Sequence, residues 1–232
     1  MDYKKNLKYY QSNDKHFYVG VIIIGIGALL FAIGNVLGFR LMPMQTPISM
    51  TIAGIGAAIA FIPSSGRSSE RDIEDAVLRA THKYDEQVAE SVNITLSRRI
   101  KPVLLGEFVY DGEGVLLRRG RSDRKYRSSK YTATALLFTN DGIYVSQKTF
   151  SFIEDNTVET DMEFIFEDID EAYTVCEERV FGESDKVKLY FLVISENGKE
   201  AVRIPVKYNA IVDKVCDDIN NAIAEAKGLK KR

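Results

Sequence analysis

Cysteine and histidine are scarce in this chain: two of each, Cys176, Cys216, His16 and His82, among 232 residues. That leaves too little material for a disulfide framework or a zinc site. No G-x-S-x-G, H-E-x-x-H or Walker A pattern occurs, and Gly112-x-Gly114 and Gly25-x-Gly27 lack the strand–turn–helix setting that nucleotide-binding glycines need. No enzyme, no catalytic residue, no metal and no cofactor is expected. Charge is missing from one long stretch. Between Phe17 and Gly66 the single charged side chain is Arg40. A plainly soluble protein is excluded by that run, and the highly charged remainder excludes a polytopic transporter.

Residues 17–39 are 23 uncharged residues. At about 1.5 Å per residue a helix of this length reaches about 34 Å, enough to cross a hydrocarbon core of about 30 Å. A second uncharged run covers 41–63, with a span expected from Met44 or Pro47 to Ile62. The pair reads as a transmembrane helical hairpin over 17–63, preceded by a tail at 1–16. Four lysines (Lys4, Lys5, Lys8, Lys15) precede the first run, one arginine lies between the runs, and four basic residues (Arg67, Arg71, Arg79, Lys83) follow. The positive-inside rule then puts both termini in the cytoplasm of a two-span cell-membrane protein. Small residues at Gly34 and Gly38, at Gly54 and Ala58, and at Ala53 and Ala57 have the spacing that lets helices approach closely. They are expected to pack the two helices together or to join copies in a homo-oligomer. Neither span holds an Asp, Glu, Lys, Arg or His, so no ion or proton path is expected.

After a Ser-rich linker, Ser69 and Asp72 fit a capping box, and Ile73, Val77, Ala80, Tyr84 and Val88 form a narrow helical stripe. This linker helix, within 64–99, carries seven acidic and three basic residues over 68–92. Such a helix should not lie on an anionic leaflet. It stands off the membrane, packs on the following domain, or pairs with a copy of itself. From 100 to 227 the pattern changes to short alternating runs. Seven antiparallel strands are expected, at 103–110, 131–139, 143–149, 162–166, 172–177, 187–195 and 201–206, with further strand through Val115–Arg118 and turns at Asn140-Asp141-Gly142 and Asn197-Gly198. An amphipathic helix at 208–227 follows, with Ile211, Val215, Ile219, Ala222 and Ala226 at helical spacing, and then a basic tail at 228–232. The fold class is α+β: a membrane hairpin, a charged helix, and a seven-stranded β-barrel or sandwich capped by a C-terminal helix.

Leu136 to Val145 (LLFTNDGIYV), Phe166-Glu167-Asp168-Ile169 and Ala172-Tyr173-Thr174-Val175 give the β-rich part a family likeness. It resembles the bacterial pleckstrin-homology-like and GRAM-like domains over 100–227. The resemblance implies a domain that sits beside membrane spans and grips head-group phosphates with the loop between its first two strands. Here that loop is 118–130, RRGRSDRKYRSSK, with Arg118, Arg119, Arg121, Arg124, Lys125, Arg127 and Lys130 against one acid, Asp123. Lys125-Tyr126-Arg127 matches the family's Lys-x-Arg ending. Arginine's planar fork suits phosphate oxygens. The opposing bias lies at 154–178, with eleven acidic residues and no basic one.

The expected function is a non-catalytic, membrane-anchored module that binds anionic lipid head groups or a protein partner through the basic loop. A ligand-gated membrane effector, in which the β-domain senses a phosphate-bearing molecule such as a cyclic nucleotide, is the second reading. A scaffold subunit of a membrane complex is the third. Nucleic acid is not expected, because the loop lacks interleaved aromatics beyond Tyr126 and the remainder is acidic.

Overall fold

The computed structural model describes residues 1–12, 15–35, 45–61, 66–91, 96–97, 99–182 and 184–228. Gly38, Arg40, the residues expected to connect the two apolar runs, and the tail beyond 228 lie outside them. The chain divides into two units, 2–69 and 70–232.

The first unit holds three helices: α1 (Tyr3–Gln11), α2 (Lys15–Asn35) and α3 (Gln45–Phe61). Asp2 caps α1 by accepting the Lys5 N–H at 3.1 Å. The tail expected at 1–16 is therefore helical over most of its length, and it holds part of the Ser-rich linker. The Ser68 hydroxyl donates to Asn6 Oδ1 at 2.6 Å, Ser68 N donates to the Lys5 carbonyl at 3.2 Å, and Arg67 donates to the Ser12 hydroxyl at 2.9 Å.

α2 contains the one described helix long and apolar enough to cross a membrane, Lys15–Ile33. Its apolar side chains, Ile22 and Leu29 among them, face outward. α3 is apolar but shorter, 17 residues, or about 26 Å at 1.5 Å per residue. The two expected spans are thus one full-length candidate and one short apolar helix. α2 and α3 pack antiparallel with almost no side chain between them. A Cβ on Gly20 would lie 2.5 Å from Ala60 N and from the Gly56 carbonyl oxygen, and one on Gly27 would lie 2.8 Å from Ala53 N. Gln45 ties the far end by donating to the Leu30 carbonyl at 3.0 Å. The seam is therefore Gly20 and Gly27 against Ser49, Ala53, Gly56 and Ala60. Of the packing residues expected from spacing, Ala53 is on it. Gly54 faces open space with nothing within 4 Å, Ala58 is half-buried, Gly34 belongs to α2, and Gly38 lies outside the described residues. The difference is one of helical phase: 53 and 54 are about 100° apart, and spacing alone does not say which of two overlapping small-residue rows is turned inward.

The second unit begins with α4 (Glu70–Ser91) and ends with α5 (Ala210–Ala226). Between them the described residues form nine strands rather than seven: β1 (Val103–Phe108), β2 (Leu117–Arg119), β3 (Tyr126–Ser128), β4 (Lys130–Phe138), β5 (Gly142–Ser151), β6 (Thr157–Ile165), β7 (Ile169–Phe181), β8 (Asp185–Glu196) and β9 (Lys199–Val206). The two additional strands form an antiparallel ribbon inside the loop expected at 118–130. The rest make a four-stranded sheet, β1-β4-β5-β6, and a three-stranded sheet, β7-β8-β9. Among the described residues no ladder joins the two sheets, so they form an open sandwich and the expected barrel closure is absent.

Two turns need their residues. Asn197 and Gly198 both have positive φ, 54° and 72°, as a two-residue hairpin of type I′ requires between β8 and β9. A Cβ on Gly142 would sit 2.1 Å from the Phe164 carbonyl oxygen, so β6 reaches its place only because residue 142 has no side chain.

The core lies between the sheets. Leu136, Phe138, Ile143 and Val145 face Leu192, Ile194 and Ile204, and Val212, Val215, Ile219 and Ile223 of α5 close it. Truncating Phe138, which is fully buried, would cost about 3–5 kcal/mol by the usual large-to-small measure. Asn209 caps α5 by accepting the Ile211 N–H at 2.8 Å. Asn220 clamps α5 to β7, accepting from Ala172 N and donating to the Ala172 carbonyl, both at 2.8 Å. Cys216 is part of this core, and burial pushes its thiol up to about 11. Ile211, expected on the buried face, is 56% exposed; the face is centred on Val212 and Ile219 instead.

α4 packs on the outer side of the four-stranded sheet, the second of its three expected roles. Tyr84 and Val88 meet Ala133, Ala135, Leu137 and Phe150, and the Tyr84 hydroxyl donates to Ser146 Oγ at 2.8 Å. This explains β4, whose residues 132–138 are all buried. Its even positions face the other sheet and its odd positions face α4.

Candidate functional site

The acidic α4 and the basic 118–130 segment attract one another within a single unit. Glu70, in the first turn of α4, accepts from Arg121 N and the Ser122 hydroxyl. Glu74, one turn further on, pairs with Arg127. Asp123 completes the latch: Arg127 Nη2 donates to Oδ2 at 2.7 Å and Nη1 donates to Oδ1 at 3.1 Å. The Arg127 hydrogen bond, with smaller help from Lys125, holds the Asp123 carboxyl below its ordinary range. The segment is therefore a pinned ribbon. Its backbone turns through Arg124, which takes a left-handed φ of 59°.

Pinning sorts the seven basic residues. Arg118 and Arg127 are turned inward, 8% and 3% exposed. Arg119 pairs with Asp185 at 2.7 Å, and its Nε donates to the Arg124 carbonyl at 3.2 Å. Lys130 donates to the Glu113 carbonyl at 2.9 Å. Arg121 is half-buried beside Glu70. Arg124 and Lys125 are exposed. The Lys125-Tyr126-Arg127 run thus splits: Lys125 faces water, Tyr126 donates to Asp185 at 2.7 Å, and Arg127 holds the ribbon to α4.

Arg124 and Lys125 overlook a groove of about 680 Å³ bounded by the ribbon, α4, β1 and the start of β8. Three more cations come from beyond the loop: Lys186 and Lys188 of β8, and Lys207 just after β9. Lys186 is paired with Glu178 at 2.7 Å. The side chains of Arg124, Lys125, Lys188 and Lys207 make no hydrogen bond or ion pair among the described residues. Strand pairing places them together: β9 lies beside β8, with Val206 opposite Tyr190, so Lys188 and Lys207 emerge near one end of the same sheet.

A second cavity of about 550 Å³ adjoins the first and shares Glu107, Phe108, Tyr110, Lys188 and Lys207 with it. It opens where the sandwich changes character. Val103, Leu136 and Val145 form one apolar inward-facing row across β1, β4 and β5. The next rows are Leu105, Thr134 and Gln147, then Glu107, Thr132 and Thr149. Thr132 and Thr149 share a hydrogen bond at 2.7 Å, and Gln147 donates to Thr134 at 3.3 Å. Glu107 Oε1 accepts the Phe108 N–H at 2.8 Å. Withdrawal from water pushes its carboxyl above the ordinary range, opposed by the Lys207 charge. Facing this polar floor is Tyr190, stacked on Tyr208 at 4.8 Å; Phe191, the next residue of β8, points to the outer face of its sheet, under the Arg203 guanidinium at 4.2 Å.

Glu107, Gln147, Lys188 and Lys207 were not anticipated as site residues. Thr132-x-Thr134 and Gln147-x-Thr149 carried the available signal, since each puts polar groups where strand alternation calls for apolar ones. The acidic stretch at 154–178 is partly neutralised in place. Glu159 pairs with Lys148, Glu177 with Arg179 and Arg203, and Asp170 accepts the Gly198 N–H at 2.7 Å. Among the described residues no three Cys, His, Asp or Glu side chains converge as a metal site would require. Compared with known proteins, this chain matches no family model, no curated protein and no solved structure.

Proposed function

We propose that this protein is a membrane-tethered binding module whose folded β-rich unit holds an anionic, phosphate-bearing ligand in the groove beside the β2–β3 ribbon. The observation that carries the reading is the set of four cations, Arg124, Lys125, Lys188 and Lys207, that border one groove and whose side chains make no hydrogen bond or ion pair among the described residues. Lys and Arg charges gathered around a concave, aromatic-lined surface favour phosphate over neutral ligands. The 4 + 3 arrangement of long strands and the packing of α5 across the core support the pleckstrin-homology-like likeness as a proposal about ancestry.

The tether in this reading is α2 together with α3. Outward-facing Ile22, Leu29, Ile55 and Phe61 need an apolar covering, and hydrocarbon supplies one. A short α3 is accommodated by local thinning of the bilayer or by its seam with α2. Both termini then lie on the cytoplasmic side, as the flanking Lys and Arg residues favour.

The test uses the full chain in nanodiscs of neutral lipid, titrated at low salt with tripolyphosphate or with phosphatidylserine vesicles. Each cation beside an anionic surface contributes about 1 kcal/mol, so reversing Arg124 and Lys125 to Glu weakens binding at least tenfold. Binding of tripolyphosphate alone identifies a soluble phosphate, and binding of vesicles alone identifies a lipid head group. If neither probe binds, the groove reading is wrong. Recovery of the chain in the soluble fraction without detergent refutes the tether.

A further inference from the structure

The two cavities share one wall, and their chemistry is sorted along it. Cations stand at the mouth, where Arg124 and Lys125 border the outer groove and Lys188 and Lys207 line both spaces. The Tyr190–Tyr208 stack lines one side of the inner space. Hydrogen-bonding groups form its floor, with Glu107, Gln147 and Thr149 turned into the gap between the sheets. We propose that the inner cavity is a base-binding slot and that the ligand of this protein is a nucleotide. Its phosphates rest on the cations at the mouth, and its planar ring enters between the sheets to donate to Glu107 and bond with Gln147. The proposal rests on the groove being an anion site and adds the identity of what the anion is attached to.

Three observations favour this occupant. The inner space, about 550 Å³, lies in the size range of small-molecule pockets and accommodates a base with its ribose. Its floor is wrong for a lipid chain. An acyl group would press against a carboxyl, an amide and two hydroxyls and offer them no hydrogen bond, whereas a heterocycle bearing an exocyclic amine or a ring N–H brings Glu107 a donor beyond the Phe108 N–H. The wall offers a flat surface: Tyr190 and Tyr208, stacked on each other at 4.8 Å, line the cavity, and aromatic side chains stack on bases of any sequence. Acceptors inside and cations outside are the charge order of a nucleotide, whose donors lie on the base and whose negative charge lies on the phosphate.

Isothermal titration of the full chain in detergent, with ATP and GTP against tripolyphosphate and with AMP against ribose 5-phosphate, decides the matter. At least one nucleoside triphosphate is expected to bind tenfold or more tightly than tripolyphosphate, and AMP more tightly than ribose 5-phosphate. Glu107→Gln is expected to erase most of that difference, read as the ratio of nucleotide to tripolyphosphate affinity within each variant. Photolabelling with 8-azido-ATP gives a readout independent of the variant, with label expected on β1, β8 or the residues just after β9. Equal affinity for tripolyphosphate and both nucleotides, or label confined to the β2–β3 ribbon, overturns the slot and leaves the anion groove standing. Absence of binding by every probe overturns both.

Discussion

Replacing Arg127 by Ala tests whether this residue is part of the fold or part of the ligand site. Its guanidinium makes two hydrogen bonds to Asp123, at 2.7 and 3.1 Å, and one to Glu74 of α4. Arg127 itself is 3% exposed. A bidentate charged contact of this kind contributes about 1.5–3 kcal/mol. The Glu74 arm faces water, its side chain 55% exposed, and a pair so exposed contributes at most about 1 kcal/mol. The substitution should therefore cost about 2–4 kcal/mol, most of it from the two Arg127 hydrogen bonds that Asp123 loses, the Lys125 N–H at 3.0 Å remaining. At about 2–4 °C per kcal/mol for a domain of this size, the melting temperature falls by about 5–10 °C. The assay is thermal melting of the full chain in detergent, followed by near-ultraviolet circular dichroism of the tyrosines, beside an Arg124→Ala/Lys125→Ala control that melts as the parent does. Asp123 has a folded pKa below its unfolded value. Its contribution is therefore complete above the ordinary aspartate range, near about 3.9, and disappears as pH falls through the lowered pKa. The gap between parent and Arg127→Ala should narrow in that acid window. A variant that melts within a degree of the parent at neutral pH while losing anion binding would refute the argument and return Arg127 to the ligand site.

The helix seam and the polar floor give two further expectations. Gly20→Val introduces a Cβ 2.5 Å from the backbone of Ala60 and Gly56, which cannot move aside as a side-chain tip can; overpacking of this kind costs about 1–3 kcal/mol. Gly54→Val enters open space, so far-ultraviolet melts in detergent should show loss of helix stability in the first variant only, and equal effects would refute the seam. Glu107 has a raised folded pKa because it is withdrawn from water. Its neutral form favours the fold, so stability from this residue is complete below the ordinary glutamate range and is lost as pH rises through the raised value. Glu107→Gln should flatten that slope in denaturant titrations from acid to neutral pH, and an unchanged slope would show the carboxyl to be ordinary.

Much of the architecture is local and therefore legible along the chain. Of the α4 stripe, Ile73, Tyr84 and Val88 are buried and Val77 and Ala80 are half-buried, with Ala76 buried beside them, because period and burial are both properties of consecutive residues. The Asn197-Gly198 turn follows for the same reason: positive φ is a demand on two residues alone. The basic run at 118–130 was visible as charge, but its division into buried, paired and exposed members was not. That division depends on Glu70 and Glu74, about fifty positions away. Likewise Lys188 and Lys207 join the groove through strand pairing.

From its own residues the chain determines an uncharged N-terminal stretch, one helix of membrane-crossing length, an acidic helix and a β-rich remainder, since each follows from composition, period or turn chemistry within a few residues. The tertiary structure alone decides which small residues let the two apolar helices touch, which arginines are ties and which are available, and where the sandwich turns polar between its sheets. Those outcomes are set by phase, register and charge pairing between segments distant in the chain, and no window of consecutive residues contains them.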